Sequence, residues 1–327
     1  MNLDADALVD RRRLSRRVSF WRVVAFLLTL AAIFLAGILL SEDDGLLGSR
    51  AHIARISIGG LITDDRRQQE LIERASKDDN VRALILAIDS PGGTTTGSEA
   101  YYQVIREAAE RKPVVAVLGT LATSGGYIVA IAAERIFARG NSITGSIGVI
   151  FQWAQVREAL EKLGVRVEEV KSAPLKAEPN PFTQTPEEAI AVMRAMVVDS
   201  YRWFLDLVAE RRDLEPGEAR RVGDGRVFTG RQALSAGLVD EIGGEAEAIG
   251  WLAETYGIDP GIKVRDWKPS SEFETLGLLD VLAVRAARLL GLEPAGVLKL
   301  LVDIDAAQRL RLDGLISVWQ APGGKAD

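Results

Sequence analysis

Two short glycine-rich strings hold the residues of this chain best suited to chemistry: Ser90-Pro91-Gly92-Gly93 and Thr123-Ser124-Gly125-Gly126. A serine hydroxyl becomes a nucleophile only when a neighbouring base takes its proton. The 327-residue chain contains no cysteine and one histidine, His52, so the imidazole supply is nearly empty and a lysine is the expected base. Acyl transfer also needs backbone N–H groups aimed at the developing oxyanion. Glycine lets the backbone approach a substrate closely. The amide of Gly125 and one from the first string, best assigned to Gly93, are candidates for those two donors. The same placement suits a helix N-cap at Ser124 and a tight turn at Pro91-Gly92-Gly93, so the strings alone leave both readings open.

These strings must be positioned by the elements around them. Val81–Ile88 is a nearly continuous apolar run, as in a strand buried on both faces of a parallel sheet, and Pro113–Leu118 is another. The first ends at the Asp89-Ser90-Pro91-Gly92-Gly93 breaker, and the second leads through Gly119–Gly126 into a helix reaching Glu134. Asp65–Asp78 has helical spacing with Leu71, Ile72 and Ala75 on one stripe, and Ser98–Arg111 reads as an amphipathic helix. A further strand begins at Ile53. Gln155–Leu163 reads as a helix, Val165–Val170 as a strand, and Pro186–Arg212 as a long helix capped by Thr185. The alternation predicts an α/β fold of right-handed β-α-β units, with ligands at the carboxyl ends of the strands, where both strings fall.

Composition narrows the function. A net charge of −6 and a pI near 5.2 argue against a nucleic-acid protein. Disulfides, thiolate metal sites and multi-histidine zinc sites are excluded, and no phosphate-binding loop appears, so no cofactor is expected. Val23–Leu40 carries no charge and is preceded by Arg11, Arg12, Arg13, Arg16, Arg17 and Arg22, with Glu42, Asp43 and Asp44 after it. This pattern predicts an uncleaved transmembrane anchor over residues 21–41, with residues 1–20 cytoplasmic and the remainder periplasmic or extracellular. Residues 42–52 read as a linker and 53–255 as the main domain. Residues 256–327 read as a connector with a C-terminal helical extension over Leu276–Leu292 and Ala295–Ile316.

The strings IDSPGG (88–93), TSGGYIVA (123–130), SITGSIGVI (142–150) and RVFTGRQALSAGLVDEIGG (226–244) occur in one order. Together they resemble the signal peptide peptidase A family of serine proteases, in its short single-copy form. The resemblance implies a Clp protease/crotonase-like spiral domain. It also implies a Ser124 nucleophile, an oxyanion glycine at Gly93 and a base from a Lys-Ser-Gly-x-x-Lys pattern. The matching stretch is Lys171-Ser172-Ala173-Pro174-Leu175-Lys176, which places the base at Lys176 with Lys171 as the rival; Ala173 and Pro174 depart from the pattern. A lysine acts as a base only once desolvated, and Pro174, Leu175, Ala177, Pro179, Pro181 and Phe182 supply apolar surroundings. Glu178 would oppose this unless its side chain points away from Lys176. Ser146 is a competing serine expected to line the cleft, and His52 is expected at the surface.

The family resemblance implies a membrane-anchored endopeptidase that degrades signal-peptide remnants and other apolar peptides bound as an added strand. It further implies a homo-oligomer with active sites near subunit interfaces, in which the lysine can reach a serine across the boundary. A crotonase-type acyl enzyme and an inert peptide-binding scaffold on the same fold are the competing readings.

Overall fold

The computed structural model describes residues 20–29, 51–269 and 316–318. Residues 20–29 form a helical stretch (α1), and among the described residues no helix is long and apolar enough to cross a membrane. Most of the expected span over Val23–Leu40, and the extension over Leu276–Leu292 and Ala295–Ile316, lie outside the described residues, except that Ile316 is in a strand and not a helix.

The body is built on a sheet whose main strands pair in parallel. Strands β1 (His52–Ile62), β2 (Val81–Thr94) and β3 (Val114–Thr123) run side by side, with β4 (Arg135–Ala138) on β3 and β8 (Val264–Trp267) on β1. Side chains alternate across the pleat. Ala54, Ile56, Leu84, Leu86, Ile88, Val114, Ala116 and Leu118 therefore enter one core, whereas Ile53, Ala83, Ile85 and Val115 enter a second with Ala248 and Leu252. The first core is closed by α2 (Arg66–Lys77), α3 (Thr95–Ala109) and α4 (Gly125–Ile131), the second by α9 (Glu245–Tyr256). Burial on both faces explains why these strands lack polar alternation.

The α2 stripe is as expected: Leu71, Ile72 and Ala75 are buried, and Asp65 caps the helix by accepting from the Arg67 amide. Three expectations are corrected. Ser90-Pro91-Gly92-Gly93 is not a turn after β2 but its last part, because the backbone stays paired with Leu61 and Ile62 of β1 across a register shift. Val165–Val170 is not a strand; it is exposed, with no partner strand to satisfy its backbone. The expected connector contains β8, four residues paired with β1 and too short to show a period.

Past residue 150 the chain changes character. Helix α5 (Arg157–Lys162) buries no residue, and residues 151–178 are almost continuously exposed before the long α6 (Glu187–Arg211) returns to the core through Phe204 and Val208. Pro186, not Thr185, occupies the N-cap of α6. Next come α7 (Pro216–Val222), β6 (Val227–Thr229), α8 (Gly230–Ser235) and β7 (Glu241–Ile242). Strand β5 (Ile143–Gly145) continues along β3 beyond β4, and β6 pairs with it antiparallel.

Candidate active site

The core strands deliver the two glycine strings to one place. Ser90 pairs with Ala122 across β2 and β3, and the Thr123 hydroxyl donates to the Pro91 carbonyl at 3.2 Å. The Thr144 hydroxyl donates to the Ala122 carbonyl at 2.7 Å and ties β5 to the same point. Ser90 is consumed structurally: its hydroxyl donates to Gly60 O and accepts from the Gly92 amide.

Ser124 stands at the corner between β3 and α4 with φ 55° and ψ −117°, a conformation that L residues rarely adopt. It occupies the N-cap position but its side chain makes no capping bond, which answers the alternative left open by the sequence. The corner is fixed from both sides. The Ser124 amide donates to Gly145 O at 2.8 Å, and its carbonyl accepts from the amides of Tyr127 and Ile128. Such strain, of about 1–3 kcal/mol, persists only where the surroundings over-determine it. Tyr127 provides some of that restraint: its fully buried hydroxyl donates to Leu238 O at 2.7 Å, and burial pushes the phenol pKa upward so that it remains a donor. A strained serine on a strand-to-helix corner is the arrangement that exposes a nucleophile beside backbone donors.

Packing holds Gly93, one of the two proposed donors, and Gly126 beside the other. At Gly93 an added Cβ would lie 1.8 Å from Ile62 O, so no side chain fits there. At Gly126, beside Gly125, it would lie 2.9 Å from Ser90 O. A short strand, β9 (Ile316–Val318), pairs antiparallel with Gly92, Gly93 and Thr94. Since β1 holds the other edge of β2 at these residues, β9 takes the edge that β3 leaves free where it turns at Ser124.

Ser124 opens on a cavity of about 370 Å³ lined by Ser146, Ile147, Val149 and Ile150, by Val197, Val198 and Tyr201 of α6, and by Asp224. Ser146 therefore lines the cleft as expected, also at positive φ (51°). The α6 residues were missed at the sequence level. Their signal was the spacing of 197, 198 and 201 on one helix face, with the Tyr201 hydroxyl donating to Gly223 O at 2.8 Å.

The lysines lie elsewhere. Lys176 is exposed at the crest of a turn in which its amide donates to Ala173 O, and it does not line the Ser124 cavity of its own chain. Lys171 is clamped: its Nζ lies 2.6 Å from Glu169 and 2.5 Å from Glu178, and those hydrogen bonds raise its pKa. Lys171 is thus engaged by two carboxylates. Glu178 pairs with Lys171 and not with Lys176, as a free Lys176 requires, and the bond holds the Glu178 carboxyl below its ordinary pKa. His52 corrects the expectation of a surface residue. It is 2% exposed, stacks on Trp267 and accepts from the indole N–H at 3.0 Å, a pairing set by β8 that its position before β1 could not reveal.

A family profile described as Peptidase family S49 matches residues 106–259, a stretch that contains Ser124 and Lys176. A protein of Synechocystis sp., provisionally named a protease, is 37% identical over 213 residues, covering 65% of this chain and 77% of the relative. A chloroplastic serine protease, SPPA, of Arabidopsis thaliana is 32% identical over 292 residues, covering 83% of this chain and 42% of its own length. Among solved structures, a membrane-bound stomatin-specific protease aligns at 16% identity with a TM-score of 0.47, over 68% of this chain and all of the other. Among the curated relatives that it matches, the chain spans from 25% of the length of one to 77% of another.

Proposed function

The chain belongs to peptidase family S49, and from that premise we propose that it is a serine endopeptidase using Ser124 as nucleophile and Lys176 as general base. The observation that carries this reading is the Ser124 corner: strained, over-determined, making no cap, and open to an apolar cavity. In the proposed cycle the neutral amine of Lys176 takes the Oγ proton as Oγ attacks the scissile carbonyl. The amides of Gly93 and Gly125 hold the tetrahedral oxyanion, and the lysine returns its proton to the leaving amine. Water then repeats the sequence to release the acyl group.

Substrates in this reading are extended apolar peptides, signal-peptide remnants among them. The edge of β2 at Gly92–Thr94 supports that choice, since it accepts a strand of the chain's own tail in the antiparallel sense. The cavity formed by Ile147, Val149, Ile150 and Val198 would receive an apolar side chain. The exposed arm bearing Lys176 favours assembly. Leu163, Val165, Val167, Val170 and Leu175 all stand in solvent in the single chain, and a second copy covering them would desolvate Lys176 and bring it to a neighbour's Ser124. The charge-free Val23–Leu40 run supports attachment to a membrane with the catalytic body on the exoplasmic side.

The test is covalent labelling of the full chain by a serine-acylating fluorophosphonate. Wild type is expected to label at Ser124, and Ser124→Ala and Lys176→Ala to lose labelling by at least about 10³-fold. Labelling that survives in Ser124→Ala refutes the nucleophile. Survival in Lys176→Ala with loss in Lys171→Ala transfers the base.

A further inference from the structure

The arm that presents Lys176 contains an ion-pair device whose position suggests a purpose beyond holding a loop. The turn from Ala173 to Ala177 has Lys171 at one end and Glu178 at the other, and the 2.5 Å pair between them closes its base. The side chain of Glu178 is only 4% exposed and that of Lys171 17%, in an arm where neighbouring residues are nearly all in solvent. Glu178 is saturated with donors. It accepts from Lys171 Nζ, from the Asn180 amide at 3.2 Å and from Asn180 Nδ2 at 2.9 Å. Asn180, itself buried, is fixed in turn: its Oδ1 accepts from the amides of Phe182 and Thr183, and its carbonyl accepts from Gln155 Nε2. Glu169 completes the set as the second carboxylate on Lys171, at 2.6 Å.

Two carboxylates of the arm, Glu178 beside Lys176 in sequence and Glu169 before the turn, are thus both turned onto Lys171. Among the described residues Lys176 makes no ion pair and no side-chain hydrogen bond, and the only other charged group bonded to this turn is Glu169. A carboxylate within about 4–6 Å of an amine favours the ammonium and opposes its use as a base. We infer that Lys171 is a positioning residue: it captures Glu178 and Glu169 so that Lys176 is delivered to the active site without a counter-ion. Lys171 touches neither substrate nor Ser124 in this scheme; it acts through Lys176. The inference rests on the Ser-Lys reading for its use, but the capture itself can be measured without it.

The experiment follows the pH dependence of acetylation at Lys176 in the full chain, using acetic anhydride and mass spectrometry of the peptide that contains it. In Lys171→Met, Glu178 loses its cation and is released toward Lys176, two residues away in sequence. Lys176 reactivity below its midpoint is expected to fall about tenfold, a shift of roughly one pH unit. Adding Glu178→Gln should restore reactivity to within about threefold of wild type. Lys171→Gln keeps a hydrogen-bond donor toward Glu178 but no charge, and should reproduce the shift even if Lys171→Met fails to fold. The alkaline limb of the labelling rate at Ser124 should move with the same midpoint, its plateau unchanged. A midpoint that stays put in both Lys171 variants overturns the inference, as does a loss that Glu178→Gln does not rescue. Wild type that never labels at Ser124 would instead sink the peptidase reading, while the acetylation series would still decide the clamp.

Discussion

Replacing Ser124 by glycine should cost the protein its chemistry but not its stability. Ser124→Ala and Ser124→Gly both delete the hydroxyl, so comparing them isolates the backbone at φ 55° and ψ −117°. At an ordinary buried position, glycine is worse than alanine by about 0.5–1 kcal/mol of chain entropy. It also forgoes up to about 0.8 kcal/mol of methyl burial, which applies in full here because Ser124 is 1% exposed. An unstrained corner therefore predicts that Ser124→Gly is less stable than Ser124→Ala by about 1.5 kcal/mol. Strain of about 1–3 kcal/mol, relieved only in glycine, reverses the balance to about 0.5 kcal/mol in favour of Ser124→Gly. For a body of this size 1 kcal/mol moves Tm by about 2–4 °C, so the two cases differ by about 4–8 °C in calorimetry. Ser124→Gly melting about 3 °C or more below Ser124→Ala would refute the strained corner, whatever either variant does in a peptidase assay.

Two other perturbations probe the strand edges around that corner. In Gly93→Ala the three atoms nearest the new Cβ would all be Ile62 backbone, with O at 1.8 Å, C at 2.5 Å and N at 2.6 Å, so no rotamer change can relieve it. Strand β2 must part from β1, and Ser124 labelling should fall at least about 10²-fold, with Tm lowered by several degrees; near-normal labelling would remove Gly93 from the oxyanion site. In Ser317→Pro the ladder between β9 and Gly92–Thr94 is interrupted. Only alternate residues of an antiparallel edge donate into the ladder, so Ile316→Pro serves as the companion variant. One of the two should lower KM for an added apolar peptide, by as much as about tenfold, as a tethered competitor leaves the edge. An unchanged KM in both would show that β9 does not compete for it.

How much of this was legible in the sequence divides along the boundary between core and arm. Strands buried on both faces carry a strong signal, which is why Val81–Ile88 and the Leu71–Ile72–Ala75 stripe were read correctly. The signal failed where partners are non-local. Glycines 92 and 93 read as a turn because local chemistry favours one, yet pairing with Leu61 and Ile62 keeps them in the strand. His52 looked like a surface residue because Trp267, which buries it, lies 215 positions away on a four-residue strand without a period. The cavity residues Val197, Val198 and Tyr201 could be read only as an ordinary helical stripe, because nothing local tells which object the stripe faces.

The arm raises a different difficulty, since its apolar residues are not explained by the single chain at all. Val165 and Val167 alternate with Arg166 and Glu168 as in a strand, a pattern that marks burial, and Val170 adds a further exposed apolar side chain. Among the described residues nothing buries them, and in the proposed assembly a second copy would cover them. The same holds for Lys176. It is exposed and does not line the Ser124 cavity of its own chain, but the arm supplies a clamp that holds the nearby carboxylates on Lys171. In the proposed assembly the nucleophile and its donors are therefore fixed within one subunit, at a cost in strain. The base is kept free of counter-ions on an arm and is desolvated only when a second copy closes over it. Activity would then depend on protein concentration more steeply than the fold does. A dilution series should show Ser124 labelling per chain falling at concentrations where circular dichroism is still that of the native protein. Labelling that stays constant down to the monomer would place the base within the same chain.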